Sequence, residues 1–219
     1  MVKQYIDKIE DIIQNEKNGI NFKSRLQIVL DNFFNLKLEI HIRNLLVEIF
    51  NKNLESKYRA MAEYPRYTFK NKKRVSVDFS ILKDGKTDFT MEMKYNFPTD
   101  DSFFSNYSKV IDSNFINRKW NEEKNVDAFL LIVGKTDKRF LTNIERDCFE
   151  PPLNRISQYQ LSERQISKNG ENFWEINLEK VFKHYGDTDG YSYKKLKNIH
   201  LTSRDKLNFE FQFYFLFRD

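Results

Sequence analysis

Apolar residues recur every three or four positions at the start of the chain and every second position further on. Residues 2–16 and 23–35 carry the helical period, interrupted near Asn18-Gly19, and predict two amphipathic helices. Lys37 to Met61 keeps that period and predicts a longer helix, or two in succession. Pro65 then stops the helix, and the aromatics of Glu63–Phe69 predict a strand. VSVDFSIL and DFTMEMKYNF alternate strictly and predict a hairpin. Ser105–Glu123 returns to the helical period, and the unbroken apolar run in Asn125–Lys135 predicts a strand buried on both faces. Further on, Arg164–Asn177 suggests a second hairpin turning at Asn169-Gly170. In NFEFQFYFLF, Phe209, Phe211, Phe213, Phe215 and Phe217 share one side of a strand. Such a row either packs into the core or, if exposed, forms an interface strand between two copies of the chain. A helix joining a hairpin to a central strand implies a mixed α/β sheet covered by helices.

The hairpin can be read by parity. Val75, Val77, Phe79 and Ile81 point one way, with Ser76, Asp78 and Ser80 opposite. Phe89, Met91, Met93, Tyr95 and Phe97 likewise oppose Asp88, Thr90, Glu92 and Lys94. Burying both apolar rows on one side requires odd residues to pair with odd ones, hence an odd number of loop residues. Lys83-Asp84-Gly85 supplies a three-residue loop with Gly in the left-handed position. Asp78 then pairs with Thr90, and Glu92 lies one diagonal step away, about 7–8 Å. Asp78, Glu92 and Lys94 are expected on one polar face.

Composition narrows what that face can be. The 219 residues suit one domain, and the 21 Phe and 11 Tyr suffice for a core. Only 6 Gly and 4 Pro leave few places for a linker. No apolar run is long enough to span a membrane, and the charged amphipathic start lacks the apolar stretch of a secretory signal. With one cysteine, Cys148, no intrachain disulfide can form, and a cytoplasmic location is the default expectation. The net charge of +5 and pI near 9.0 permit a polyanionic partner without requiring one. The densest basic cluster, Lys70, Lys72, Lys73 and Arg74 with Arg66 just before, adjoins the hairpin. It reads either as a solvated loop or as a phosphate-neutralising patch. Lys109, on the following helix, reads either as a solvated lysine or as a further phosphate contact.

Two carboxylates at the Asp78–Glu92 spacing can share a hard cation such as Mg²⁺, with the Met93 carbonyl as another oxygen donor. Lys94 would lie beside the open side of that cation, able to orient a water or offset charge on phosphorus. The alternative is a polar outer face with solvated charges. His41, His184 and His200 lack metal-ligand spacing, and no Gly-rich phosphate loop or Ser or Cys nucleophile motif is present.

The pattern Asp78 … Glu92-Met93-Lys94 resembles the signature of the PD-(D/E)xK nuclease superfamily, with Val77 where the family name has proline. The order of elements from Lys37 to Lys135 is similar to the family's restriction-endonuclease-like core of helix, three antiparallel strands, helix and strand. The resemblance implies residues 1–36 as an N-terminal helical extension, 37–135 as a nuclease core and 136–219 as a C-terminal extension of the same domain. It also implies an acidic residue on the helix before the sheet. Glu39 and Glu48 are the candidates, on nearly opposite helix faces, with Glu39 the better match. Glu39 and Arg43 could instead form a surface i,i+4 pair. The activity implied is Mg²⁺-dependent (Mn²⁺ substituting) endonucleolytic hydrolysis of nucleic acid, with DNA favoured. Asp78, Glu92, the Met93 carbonyl and Glu39 would serve the metal, and Lys94 the water. A type II restriction-like homodimer or a phage-defence nuclease fits this expectation. An RNA endonuclease, or a catalytically silent binding module of the same fold, is the alternative.

Overall fold

The computed structural model describes residues 2–14, 21–33, 38–53, 55–72, 74–96, 107–136, 173–204, 206 and 208–218. The chain begins with three helices, α1 (Val2–Gln14), α2 (Phe22–Phe33) and α3 (Glu39–Asn53). The strands β1 (Tyr58–Ala62), β2 (Arg66–Thr68), β3 (Arg74–Ser76), β4 (Phe79–Lys83) and β5 (Lys86–Asn96) follow. A short α4 (Tyr107–Ile111) continues into a π-helical turn, Asp112–Ile116, before β6 (Ala128–Thr136). The chain closes with α5 (Phe173–Asp189), β7 (Tyr191–Lys195), β8 (Ile199–Thr202) and β9 (Asn208–Arg218). The fold is α/β: a mixed seven-stranded sheet in the order β1-β4-β5-β6-β9-β7, with β8 also on β9, and helices on both faces. β5 and β6 are parallel and the other neighbours antiparallel. No helix among the described residues is long and apolar enough to cross a membrane.

One face of the sheet carries Phe79, Ile81, Phe89, Met91, Met93, Tyr95, Leu130, Ile132 and the odd-numbered Phe209–Phe217 row against α1, α2 and α3. Phe50 of α3 meets Phe79 edge-on at 5.4 Å, and Phe22 of α2 meets Phe213 at 6.2 Å. The Phe row is therefore core; the exposed interface-strand alternative is overturned, because β9 lies inside the sheet beneath the helices. The other face packs Phe129, Leu131, Val133, Tyr214 and Leu216 against α5 and the π-helical turn.

Several expected boundaries move. The helix predicted to Met61 ends at Asn53, and Tyr58–Ala62 is instead the edge strand β1. Asn51 clamps it there: its side chain donates to the Ala60 carbonyl (2.9 Å) and accepts from the Ala60 amide (2.8 Å). The strand expected at Glu63–Phe69 does not join the main sheet. Its β2 part pairs with β3 in a separate two-stranded ribbon, so VSVDFSIL is two strands, broken at Val77-Asp78. The helix expected to Glu123 gives way after the π-helical turn. The hairpin expected at Arg164–Asn177 is contradicted at its end, where α5 starts at Phe173; its turn, Asn169-Gly170, lies outside the described residues.

The β4–β5 hairpin reaches the expected parity by another route. Lys83 pairs with Lys86, so the turn has two residues, Asp84 and Gly85, both left-handed (φ 50° and 76°). Alone, that turn would set Asp78 and Glu92 on opposite faces. A bulge restores the face: Leu82 pairs with Thr87 but Ile81 with Phe89, leaving Asp88 as the extra residue. Asp88 then accepts a hydrogen bond from the hydroxyl of Tyr5 in α1. The expected Asp78–Thr90 pair is wrong by two residues: Ser80 faces Thr90, and one step beyond Phe79–Met91 Asp78 stands opposite Glu92.

Candidate functional site

The break at Val77-Asp78 leaves the second half of β5 without a strand neighbour on that side, and carboxylates take its place. The Met93 amide donates to Asp78 Oδ2 (2.8 Å), and the Tyr95 amide donates to Glu39 Oε2 (2.7 Å). These amides are two residues apart along one edge, so Asp78 and Glu39 cap it in succession, about 7 Å apart. Amide and carbonyl of one strand residue project to the same edge, which puts the Met93 carbonyl on Asp78's side. The bond to Tyr95 sets Glu39 apart from a surface pair with Arg43. Glu48 lies elsewhere, bound to Arg25 and Lys52 (both 2.8 Å) on the outside of α3.

Glu92 is 5% exposed, so the solvated outer face fails at this residue. Burial and the neighbouring Asp78 charge raise its carboxyl to about 8, and Arg118 only partly opposes them. Arg118 Nε donates to Glu92 Oε1 (2.9 Å), and its Nη2 donates to the Ser76 carbonyl (3.0 Å). On the other side Arg43, itself buried, lies 3.6 Å from Asp78 Oδ1 and donates to Glu63 Oε1. The Ser76 hydroxyl donates to Glu63 Oε2 (2.7 Å), holding that carboxyl well ionised with help from Arg43. Lys94 is half-buried on the same face as Glu92, across from Leu131 of β6.

The structure thus brings Asp78, Glu92 and Lys94 to one face, with Glu39 at its border. It adds Arg118, Arg43 and Glu63, which carry no sequence signal for this site, and Ser76, which parity sets on the face of Asp78. Arg118 arrives because the chain leaves the helical path after the π-helical turn. Glu63 arrives because its amide bonds to the Asp78 carbonyl (3.1 Å) with φ at 52°, turning the chain out of β1.

Among the basic candidates, Arg66, Lys70, Lys72 and Arg74 are exposed on the β2–β3 ribbon, and Lys73 lies outside the described residues. Thr68 pairs with Arg74 and Arg66 with Ser76, so both arginines share the ribbon face of Ser76, whose polar atoms touch the site. Lys109 is exposed on α4.

The donor set suits a hard dication. Burial, and then the charge of Asp78 beside it, make Glu92 resist ionising, and positive charge between the two carboxylates offsets both effects. Among the described residues no group of three or more His, Cys, Asp or Glu converges as a metal cage. Two carboxylates and a carbonyl, with water or substrate oxygens completing the shell, is a pattern Mg²⁺ accepts. Searches of protein-family models, curated proteins and solved structures returned no match for this chain.

Proposed function

We propose that this chain is a Mg²⁺-dependent endonuclease, acting on DNA in preference to RNA. The observation that carries the reading is the meeting of Asp78 and a buried Glu92 at the broken edge of β5, with Lys94 two residues along the same face. The succession α3, β1, β4, β5, α4, β6, with three antiparallel strands followed by a parallel one, supports a restriction-endonuclease-like core.

Asp78, Glu92 and the Met93 carbonyl would hold the metal. Once bound, it supplies Lewis-acid stabilisation of charge on a non-bridging phosphate oxygen and an acidified water. Lys94 holds the attacking water from the half-buried face and offsets charge as the oxygen adds to phosphorus. The water oxygen forms the new P–O bond and gives up a proton to solvent, the bond to the leaving sugar oxygen breaks, and that oxygen takes up a proton from solvent. Glu39 acts at one remove, fixing β5 through the Tyr95 amide. The exposed cations of the β2–β3 ribbon would neutralise phosphates flanking the cut.

The experiment is plasmid nicking with Mg²⁺, with EDTA, and with the Asp78→Ala and Lys94→Ala variants. Lys94→Ala is expected to lower kcat by about 10²–10³-fold while Mn²⁺ still binds; Asp78→Ala removes both. Metal-dependent nicking that survives both substitutions places the chemistry elsewhere. A second reading, a silent binding module, is favoured by the Arg118–Glu92 pair, which gives the buried acid a hydrogen-bond partner without a metal. It requires that the wild-type chain bind no Mn²⁺ at Asp78 and Glu92. Parallel assays on RNA decide the substrate.

A further inference from the structure

Arg118 is a strong charge at the carboxylate pair that the hydrolysis just described leaves without a task. Its backbone is held at both ends: its amide donates to the Phe115 carbonyl (3.2 Å), and its own carbonyl accepts from the Val126 amide (3.1 Å). The side chain crosses from that anchored segment to β5 and β3, gripping Glu92 with Nε and the Ser76 carbonyl with Nη2. Nη1 has no protein partner among the described residues, and the side chain is 28% exposed against 7% for that of Glu92. A guanidinium stays charged at every working pH, and its planar fork matches phosphate oxygens.

We propose that Arg118 is an exchangeable counter-cation. In the resting protein it is engaged by Glu92 through its Nε hydrogen bond; when a divalent cation is held between Asp78 and Glu92, it moves to a non-bridging phosphate oxygen of the nucleic-acid backbone. The inference rests on the reading of the site as a metal-dependent nuclease and assigns that site a phosphate-binding residue. The physical basis is competition. A dication and a guanidinium at one carboxylate repel each other strongly in a poorly solvated site, so each weakens the other's hold. The guanidinium has somewhere to go. Its second anchor, Ser76, is the root of the basic ribbon face, where Arg66 and Arg74 would already hold the backbone.

This arrangement makes two affinities move in opposite directions, which a purely structural arginine would not do. The test uses the full chain with Arg118→Ala, and with Arg118→Gln, which removes the charge but keeps a donor for the Ser76 carbonyl. Mn²⁺ binding is measured by calorimetry without nucleic acid. Binding of a fluorescein-labelled DNA duplex is measured by anisotropy in Ca²⁺ across a salt series.

Both variants are expected to bind Mn²⁺ about tenfold more tightly. They should bind the duplex more weakly, with the slope of log affinity against log salt reduced by about one. Mn²⁺ binding that is unchanged or weaker in a folded variant overturns the exchange. Unchanged duplex affinity and salt slope overturn the phosphate assignment. A wild-type chain that takes up no Mn²⁺ overturns the metal site itself, and the exchange with it. Wild-type uptake that the variants leave unmoved strikes Arg118 alone.

Discussion

The two faces of the central sheet are built from the same strands but solve different problems. On the face under α1–α3, every inward residue of β5 from Phe89 to Tyr95 is apolar and buried, and the Phe row of β9 continues it. On the opposite face, α5 and the π-helical turn cover β6 and β9, while β4 and β5 carry Ser80, Thr90, Glu92 and Lys94. Alternation by itself would make that second face wet. Instead Ser80, Thr90 and Glu92 are buried, and Glu92 is held there by Arg118 beside a second carboxylate. An isolated buried carboxylate is costly, and a second one beside it adds repulsion that the proposed metal site would relieve. The first face explains why the chain folds; the second marks where it would act.

The sharpest way to break that comparison is pH. In the metal-free fold Glu92 titrates near 8, whereas in the unfolded chain it has the ordinary glutamate value of about 4.3. Between those values the native state holds more protons than the unfolded one, so stability falls as pH rises. The Glu92 contribution is fully present below the unfolded value and lost as pH climbs through about 8. In EDTA, Glu92→Gln should flatten that decline, whose slope approaches ~1.4 kcal/mol per pH unit. Urea melts of both proteins at several pH values check it. Parallel curves would show that Glu92 is not protonated in the fold.

The apolar face should respond through volume alone. Phe213→Ala removes a fully buried ring and is expected to cost about 3–5 kcal/mol in urea unfolding, at pH 5 and pH 8 alike. Gly134→Ala tests the contact between β6 and β5. A Cβ there would come within 1.9 Å of the Tyr95 hydroxyl, and the buried ring has little room to yield. A loss of about 1–3 kcal/mol is expected, and Tyr95→Phe in the same chain should recover part of it. The smallest effect belongs to the turn. Gly85→Ala places a side chain at φ 76° in open space, for a cost of about 1 kcal/mol from backbone strain alone. Cleavage should persist in all three, since none alters the carboxylate face.

Legibility along the chain followed the range of the interactions. The buried strand at Asn125–Lys135 and the Phe row were readable because each is a local pattern whose burial needs no partner to be named. Parity put Asp78, Glu92 and Lys94 on one face, yet the pairing was off by two: one step from the shorter Asp84-Gly85 turn and one from a bulge at Asp88 that carries no composition of its own. The strand Tyr58–Ala62 hid inside a helical period; it extends because Asn51 and β4 claim its backbone, a tertiary override of local preference. Helix phase allows only one of Glu39 and Glu48 at the site, and the family resemblance points to Glu39, which does reach β5, though at the Tyr95 amide rather than at the carboxylate pair. Arg118, Arg43 and Glu63 were illegible as site residues, since each reaches it from a different element.

What the chain determines on its own is periodicity: which segments can bury one side, and therefore an α/β layering with Asp78, Glu92 and Lys94 opposite the oily row. Hydrophobic burial acts residue by residue, so a one-dimensional pattern is enough to encode it. Only the three-dimensional structure decides the charges. Where β4 breaks, which amides are left for Asp78 and Glu39, and which arginine reaches Glu92 all depend on elements that meet only after folding. Electrostatic strength follows distance and desolvation, and neither exists before the chain is packed.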